Sequence, residues 1–493
     1  MMNIKFDMTA LGNAALTSDN VYVTFAAAAS EMVYDPNGTK DNIDFSTNAI
    51  TIDNTKYGTS KAYSLADVAS KGLQLNSATS LVGFISYGHA AGIEKLGVGS
   101  QPTFLSKSTP RYSVFEISYN GTTGGADITN ISQFGGSISL QFENTGTVQS
   151  RIGNTLNTTD MFNAFTKCSV FSGESTAVIY LDDNGKFIRA IGANVFPNGD
   201  IQTPYLMFNP YLQSLYKKYG SNSVVKKLTN LAPGANPGGQ GSAGFPSTTK
   251  AKNVTPSKAS NTVIYNLDYH FDAIVTKAKE PDILAPAGTY SVQLKGYVNA
   301  TAANSGTAIQ SYKYDNLVID IAADEIVEDF PKSHLYMTNF IYQAALKGTG
   351  IKVSWSGWDD FIHDFGKANV EAAAMKKAAG DFAEGITCGF PGSETTSESN
   401  PNKTLSELTS YEWWQNPQLG YSKAQGALPY YSLYGNAVFL NSDGNNAGIT
   451  LNYGGVYGSP YDDRFGLNLI SPDANTTDMK IILMADGDLT PTS

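Results

Sequence analysis

Arg111-Tyr112-Ser113-Val114-Phe115-Glu116-Ile117-Ser118-Tyr119-Asn120 alternates cleanly between two kinds of side chain. In an extended chain successive side chains point to opposite faces, so Phe115, Ile117 and Tyr119 share one face and Glu116, Ser118 and Asn120 the other. The pattern predicts an amphipathic β-strand. Gly121-Thr122-Thr123-Gly124-Gly125 then reads as a turn, and Ala126 to Gly135 as a returning strand with Asp127 and Thr129 on one side. An ordinary solvated face of an antiparallel sheet has the same pattern. The polar face also offers a carboxyl, a hydroxyl and an amide, each able to bond a sugar hydroxyl. If the two strands pair, Asp127 comes to the Glu116 face. Two carboxyls at one groove are the minimum apparatus for glycoside hydrolysis. One must stay protonated while the other is ionised.

The rest of the chain agrees with a β protein. Charged residues make up 16% of the 493, below the usual quarter, while Gly (47), Tyr (28) and Phe (24) are abundant. That is a composition of strands and turns. The length predicts two or more domains. Strands are expected at Val21–Ala27, Ser80–Tyr87, Gly136–Phe142 and Thr176–Leu181, separated by Gly, Asn, Asp and Ser clusters. Asp182-Asp183-Asn184-Gly185 joins two apolar runs and reads as a hairpin turn; a calcium loop would need a spaced oxygen series and a terminal Glu.

Asn209 to Gly220 reads as a short helix opened by Pro210, with a packing stripe of Tyr211, Leu212, Leu215, Tyr216 and Tyr219. Residues 231–260, rich in Gly, Pro and Ser, form a loop or linker. Strands resume at Thr262–Phe271, Thr289–Val298 and Asn316–Ile321. Helices are expected at His334–Lys347 and Phe365–Glu384, and a polar loop from Pro391 to Lys403. The last ninety residues read as strands and aromatic turns.

Net charge is −11, which repels phosphate backbones and argues against nucleic acid as a partner. It suits a neutral ligand, although solubility alone explains it equally. No run of about 18 apolar residues occurs, so no membrane span is expected. Four scattered histidines and two cysteines, Cys168 and Cys388, show no metal-ligand spacing, and neither metal nor cofactor is expected. One disulfide between the cysteines is possible but not readable from sequence. Sequons such as Asn120-Gly121-Thr122 and Asn157-Thr158-Thr159 arise by chance in a chain this rich in Asn and Thr. Met1-Met2-Asn3-Ile4-Lys5 is not followed by an apolar signal core: either a signal was removed or there was none.

The stretch from Phe84-Ile85-Ser86-Tyr87-Gly88 through Gln101-Pro102 to Tyr112–Phe134 resembles the laminaripentaose-producing β-1,3-glucanases, glycoside hydrolase family 64. Phe115-Glu116-Ile117-Ser118-Tyr119-Asn120 is similar to the family's Phe-Glu-x-Thr-x-Asn strand. Asp127-Ile128-Thr129-Asn130-Ile131-Ser132-Gln133-Phe134 is similar to its return strand, Asn-x-Thr-x-Val-Asp-x-Phe. Phe208-Asn209-Pro210-Tyr211, the Ala-rich segment with Asn369 and Glu371, and Gly458-Ser459-Pro460-Tyr461-Asp462-Asp463 extend the likeness.

The resemblance implies a mainly β fold: a thaumatin-like barrel or sandwich, a mixed α/β second domain, and a groove between them. Residues 1–200 would form the β domain, completed by later strands. Residues 201–440 would form the α/β domain, and 441–493 would return to the groove. It also implies inverting hydrolysis of β-1,3-glucan, secretion, and Glu116 as general acid. Ser118, Asn120, Thr129 and Ser132 would line the groove, with Asp462 and Asp463 as further substrate contacts. A monomer is the expectation.

The family's general base is an Asp, and the matching residue is Ser132, which cannot accept a proton from water unaided. Three readings stay open. Asp127 takes over as base; the base comes from elsewhere, such as Asp462 or Asp463; or the protein binds glucan without cutting it. For Asp462 and Asp463 a turn is the plainer role. Trp355, Trp358, Trp413 and Trp414 can stack on sugars, although packing is the commoner role for Trp. For inversion the carboxyls must stand roughly 6.5–9.5 Å apart, whereas about 5 Å points to retention.

Overall fold

The computed structural model describes residues 1–27, 29–36, 38, 41–42, 50–52, 55–90, 110–130, 133–169, 179–191, 215–220, 224–229, 265–277, 290–302, 311–322, 324–325, 333–334, 341–345, 352–356, 390–397, 400–408, 412, 433–446, 448–458 and 469–491. The fold is mainly β. The chain divides into two compact units: Met1–Val195 with Leu433–Asp462 and Leu467–Ser493, and Phe196–Ser432 with Asp463–Gly466. Among the described residues, no helix is long and apolar enough to cross a membrane.

The first unit is built on a large sheet, fifteen strands among the described residues. From one edge it runs Ile449–Leu451, Ser442–Asn446, Thr147–Asn154, Ile138–Asn144, Asp478–Leu483, Met2–Asp7, Leu73–Tyr87, Val21–Ala27, Thr55–Thr59, Ile50–Ile52. Met2–Asp7 and Asp478–Leu483 pair in parallel.

Leu73–Tyr87 is the hinge of this sheet. Its first half pairs with Ala29–Tyr34 and its second with Val21–Ala27 and with Tyr112–Tyr119. Between Ala78 and Leu81 the register shifts, and Ser80 there takes a positive φ of 49°. A bulge of this kind bends a strand and lets one segment serve two pairings.

The inward face of this region carries Val23, Phe25, Leu81, Ile85, Phe115 and Ile117, all buried. The Phe115 ring packs against Phe6 and Phe25 at centroid distances of 6.4 and 6.5 Å. It also lies across Gly83, its register partner, where an added Cβ would stand 2.2 Å from the ring tip. Gly83→Ala is therefore expected to overpack the core and destabilise by about 1–3 kcal/mol. Urea unfolding checks this: the midpoint should fall with the slope unchanged.

Helices that strand patterning did not announce pack on this unit, Leu65–Lys71 among them. Thr158–Ser169 is capped by Asn157, whose side-chain oxygen accepts from Asp160 N–H at 2.8 Å. Phe134 contacts Phe162 and Phe165 of this helix at 5.1 and 5.2 Å. Leu433–Leu440 supplies Tyr434, which stacks on Phe165 at 4.7 Å. The hairpin expected at Asn184-Gly185 is present between Ile179–Leu181 and Phe187–Ile191. Gly185 has φ 76°, and the Asp182 carboxylate accepts from the Asn184 and Lys186 N–H groups at 2.8 Å each.

Ion pairs tie the parallel terminal strands together. Lys480 meets Asp7 and Lys5 meets Asp478, each at 2.8 Å. Lys480, then the Thr9 hydroxyl and N–H, hold the Asp7 carboxyl down at about 2, from an ordinary 3.8. A depressed carboxyl contributes stability above its unfolded value and loses it as pH falls through the folded one. Asp7→Asn should thus flatten the acid limb of thermal melts between pH 4 and 2. Because the pair is partly exposed, the effect is expected to stay below about 1 kcal/mol.

The second unit contains a four-stranded antiparallel sheet: Val224–Thr229, Tyr265–Lys277, Tyr290–Ala302, Ser311–Ala322. One face is buried through Phe271, Ala273, Val275, Val292 and Leu294, while Lys295 and Tyr297 on the other are exposed. Among the described residues, the helix expected at His334–Lys347 is replaced by strands. Ile341–Ala345 is a strand paired with Lys352–Ser356, and Ser333–His334 pairs with Asp324–Glu325. The reason lies in the following residues. Val353 and Trp355 favour an extended partner, which a short apolar run cannot resist. Residues 215–219 are helical and stop at Gly220, with φ 83°. The expected Asn209 start, the 231–260 linker and the Phe365–Glu384 helix lie outside the described residues, as does Cys388.

Candidate functional site

The strand expected from the opening alternation runs Tyr112–Tyr119 and is paired on both sides. Leu73–Tyr87 lies along one edge and Gly124–Ile128 along the other. The turn between the last two is made by Asn120. Its side-chain oxygen accepts from Thr122 and Thr123 N–H at 3.1 and 2.8 Å, and its amide donates to the Thr123 hydroxyl at 2.9 Å. Gly121 supplies the positive φ of 98°. This turn fixes the register of everything that follows.

In that register Asp127 stands directly opposite Glu116. Directly opposed residues project to the same face with Cβ atoms about 4.5–5.5 Å apart. Both side chains are partly exposed. On the far side of Glu116 the opposed residue is Val82, and Val114 precedes it on the same face. Val82 and Val114 belong to an apolar cluster with Phe84 and Tyr112. The carboxyl pair thus sits at the border of an apolar bed.

The other expected site residues divide. Ser118 is exposed on the Glu116 face, and its hydroxyl accepts from the Ser80 N–H of the bulge at 3.1 Å. It faces Gly125, over which Leu469 packs so closely that an added Cβ would lie 2.8 Å from it. Thr129 is partly exposed and continues the Asp127 side, bridging to Tyr457. Asn120 is exposed, with its side chain engaged by the turn. Ser132, Asp462 and Asp463 lie outside the described residues, as do Trp358, Trp413 and Trp414.

The structure adds features that the sequence did not signal. Thr24, Ser86 and Tyr112 share the Glu116 face, and their hydroxyls are buried without a hydrogen-bond partner among the described residues. This is unfilled bonding capacity that water or a ligand hydroxyl can satisfy. Burial pushes the Tyr112 phenol far above its ordinary value, so it is a neutral donor. Behind the site, the strand is anchored at Arg111. Its guanidinium forms an ion pair with Asp486 and donates to Gly135 O at 2.9 Å. It also lies 4.2 Å from the Tyr87 ring centre. Asn13 donates to the same carboxylate at 3.0 Å.

No family model matches the chain, and no curated protein matches it. Solved structures do. One is a β-1,3-glucanase domain (GH64) from Clostridium beijerinckii, at 12% identity and TM-score 0.44 over 98% of each chain. Another is a laminaripentaose-producing β-1,3-glucanase in complex with laminaritetraose, at 10% identity and TM-score 0.42, again over 98% of each. A GH family 64 laminaripentaose-producing β-1,3-glucanase from Paenibacillus barengoltzii is similar over 48% of this chain and 57% of its own, at 14% identity and TM-score 0.25.

Proposed function

We propose that this chain hydrolyses β-1,3-glucan, with Glu116 as the general acid that protonates the departing glycosidic oxygen. The observation that carries the reading is the register pair of Glu116 and Asp127 on one partly exposed sheet face. Two carboxyls at one place can hold one proton and one negative charge, the combination that glycoside cleavage needs. Val82 and Val114 border the pair on the same face. Ser118 and Thr129 flank the pair with hydroxyls suited to a sugar. The likeness of residues 115–120 and 127–134 to the family 64 strands supports β-1,3-glucan as the polysaccharide. A polymer of that size is met outside cells, so we place the protein there.

Incubation with a soluble β-1,3-glucan and analysis of released oligosaccharides tests the proposal. Release is expected from the unaltered protein and its loss from Glu116→Gln. Because Ser132 stands where the family carries its base, a glucan-binding protein without activity is the second reading. No release, together with retention on insoluble glucan, would establish that one instead.

A further inference from the structure

The four-stranded sheet of the second unit buries one face and leaves residues of the other in water. On the open face Tyr297 is 36% exposed. Its ring lies against that of His270, the residue directly opposite on the neighbouring strand, with centroids 4.8 Å and planes 30° apart. A large ring in solvent is thus held in one orientation by a second ring.

The backbone is shaped around this ring. The register between Tyr290–Ala302 and Ser311–Ala322 shifts between Gly296 and Val298, so Tyr297 stands at an irregularity of the kind that re-aims a side chain. Gly296 precedes it, and a Cβ there would lie 1.8 Å from the His270 carbonyl oxygen. Glycine is what allows the two strands this approach. Beside the ring, Lys227, Asp272 and Lys295 follow one another across three strands in one register row. Both lysines are exposed and Asp272 is partly exposed. The alternating signs offset much of the charge while leaving donors and an acceptor close together. In the row beyond, Gln293 stands with Ile274 and the exposed Val224.

A pyranose has the complementary build: an apolar face of C–H groups that packs on an aromatic ring, and a rim of uncharged hydroxyls that both donate and accept. A polyanion would instead meet a chain of net charge −11. Resting on the glucan reading above, we propose that this face is a second carbohydrate-binding site, where one glucosyl ring of a β-1,3-glucan chain stacks on Tyr297 while adjoining hydroxyls bond Asp272, Lys295 and Gln293. It belongs to the second unit, whereas Glu116 and Asp127 belong to the first. Its role is to hold the polymer, not to act on the bond being cut. A protein tethered in this way meets each new stretch of an insoluble glucan at a raised effective concentration. The ordering cost is small, because His270 already fixes the ring.

Adsorption to insoluble β-1,3-glucan tests the site, measured in a Glu116→Gln background so that no polymer is consumed. Tyr297→Ala is expected to weaken adsorption about 3–10-fold, and Tyr297→Phe, which keeps the ring, much less. Lys295→Ala, at an exposed position remote from the buried face, is the second variant and should weaken it about 2–5-fold. With Glu116 intact, Tyr297→Ala should lose more rate on the insoluble polymer than on a short soluble β-1,3-oligosaccharide. Unchanged adsorption in both variants overturns the site and leaves the hydrolytic reading standing. An equal loss of rate on polymer and oligosaccharide also overturns it, since the effect then lies in cleavage or in the fold. Adsorption that depends on Tyr297 in a protein that releases no sugar supports the site and removes the hydrolytic reading alone.

Discussion

Asp486→Ala is expected to destabilise the first unit by about 3–5 kcal/mol, since it would leave the Arg111 guanidinium buried without its counter-charge. Arg111 and Asp486 are both almost completely buried. The carboxylate also accepts from Asn13 at 3.0 Å, and its own N–H bonds Leu11 O at 2.9 Å, so three distant segments meet there. Burial has already pushed the neighbouring Tyr87 phenol to about 12, so that group stays neutral and cannot replace the lost charge. Thermal or urea unfolding measures the loss. Replacing both partners, Arg111→Met with Asp486→Leu, should be far milder, because what is costly is the unpaired charge rather than the absent pair. A loss below about 1 kcal/mol for Asp486→Ala would mean that water reaches the guanidinium.

The second large effect is on activity. Glu116→Gln should lower turnover of β-1,3-glucan by about 10²–10⁴-fold, the usual contribution of a positioned proton donor. The amide keeps the shape and removes the transferable proton. Glu116 is partly exposed, so unfolding should shift little. A dinitrophenyl β-glucoside supplies the specific control. Its leaving group departs without a proton, so the variant should retain most of its rate on that substrate if the lost function is acid catalysis. An equal loss on both substrates would instead assign Glu116 to binding or to attack on the sugar.

What could be read from sequence follows from which physical signals are local. The period-two alternation of residues 111–120 located the strand, and the Asn-Gly pair located the 184–185 turn, because each is decided within a few residues. The opposition of Glu116 and Asp127 depended on the turn at Asn120, whose Asx geometry is itself a local signal. The helix Thr158–Ser169 carries a local signal. Asn157 and Asp160 form a reciprocal cap: Asn157 Oδ1 accepts from Asp160 N–H at 2.8 Å, and the Asn157 amide donates to the Asp160 carboxylate at 2.6 Å. Leu433–Leu440 could not be found by periodicity, since Leu-Tyr-Gly-Asn-Ala-Val-Phe-Leu is apolar almost all round. The strand Ile341–Ala345 shows the opposite case, an apolar run at helical spacing whose partner seven to fifteen residues later decides its form. The buried hydroxyls of Thr24, Ser86 and Tyr112 share a face only through two strand pairings, so no single window of sequence contains them.

The parallel pairing of Met2–Asp7 with Asp478–Leu483 has a consequence for biosynthesis. On the ribosome the first strand emerges long before its neighbour, with all of the second unit's residues made in between. Until then both Met2–Asp7 and Ile138–Asn144, which flank the gap, expose ladder edges that invite pairing with other chains. Contacts this far apart in sequence also make closure slow. The nascent protein therefore depends on Asp478–Leu483 to seal the sheet, and chains terminated before Asp478 should collect in aggregates rather than in a partly folded soluble form.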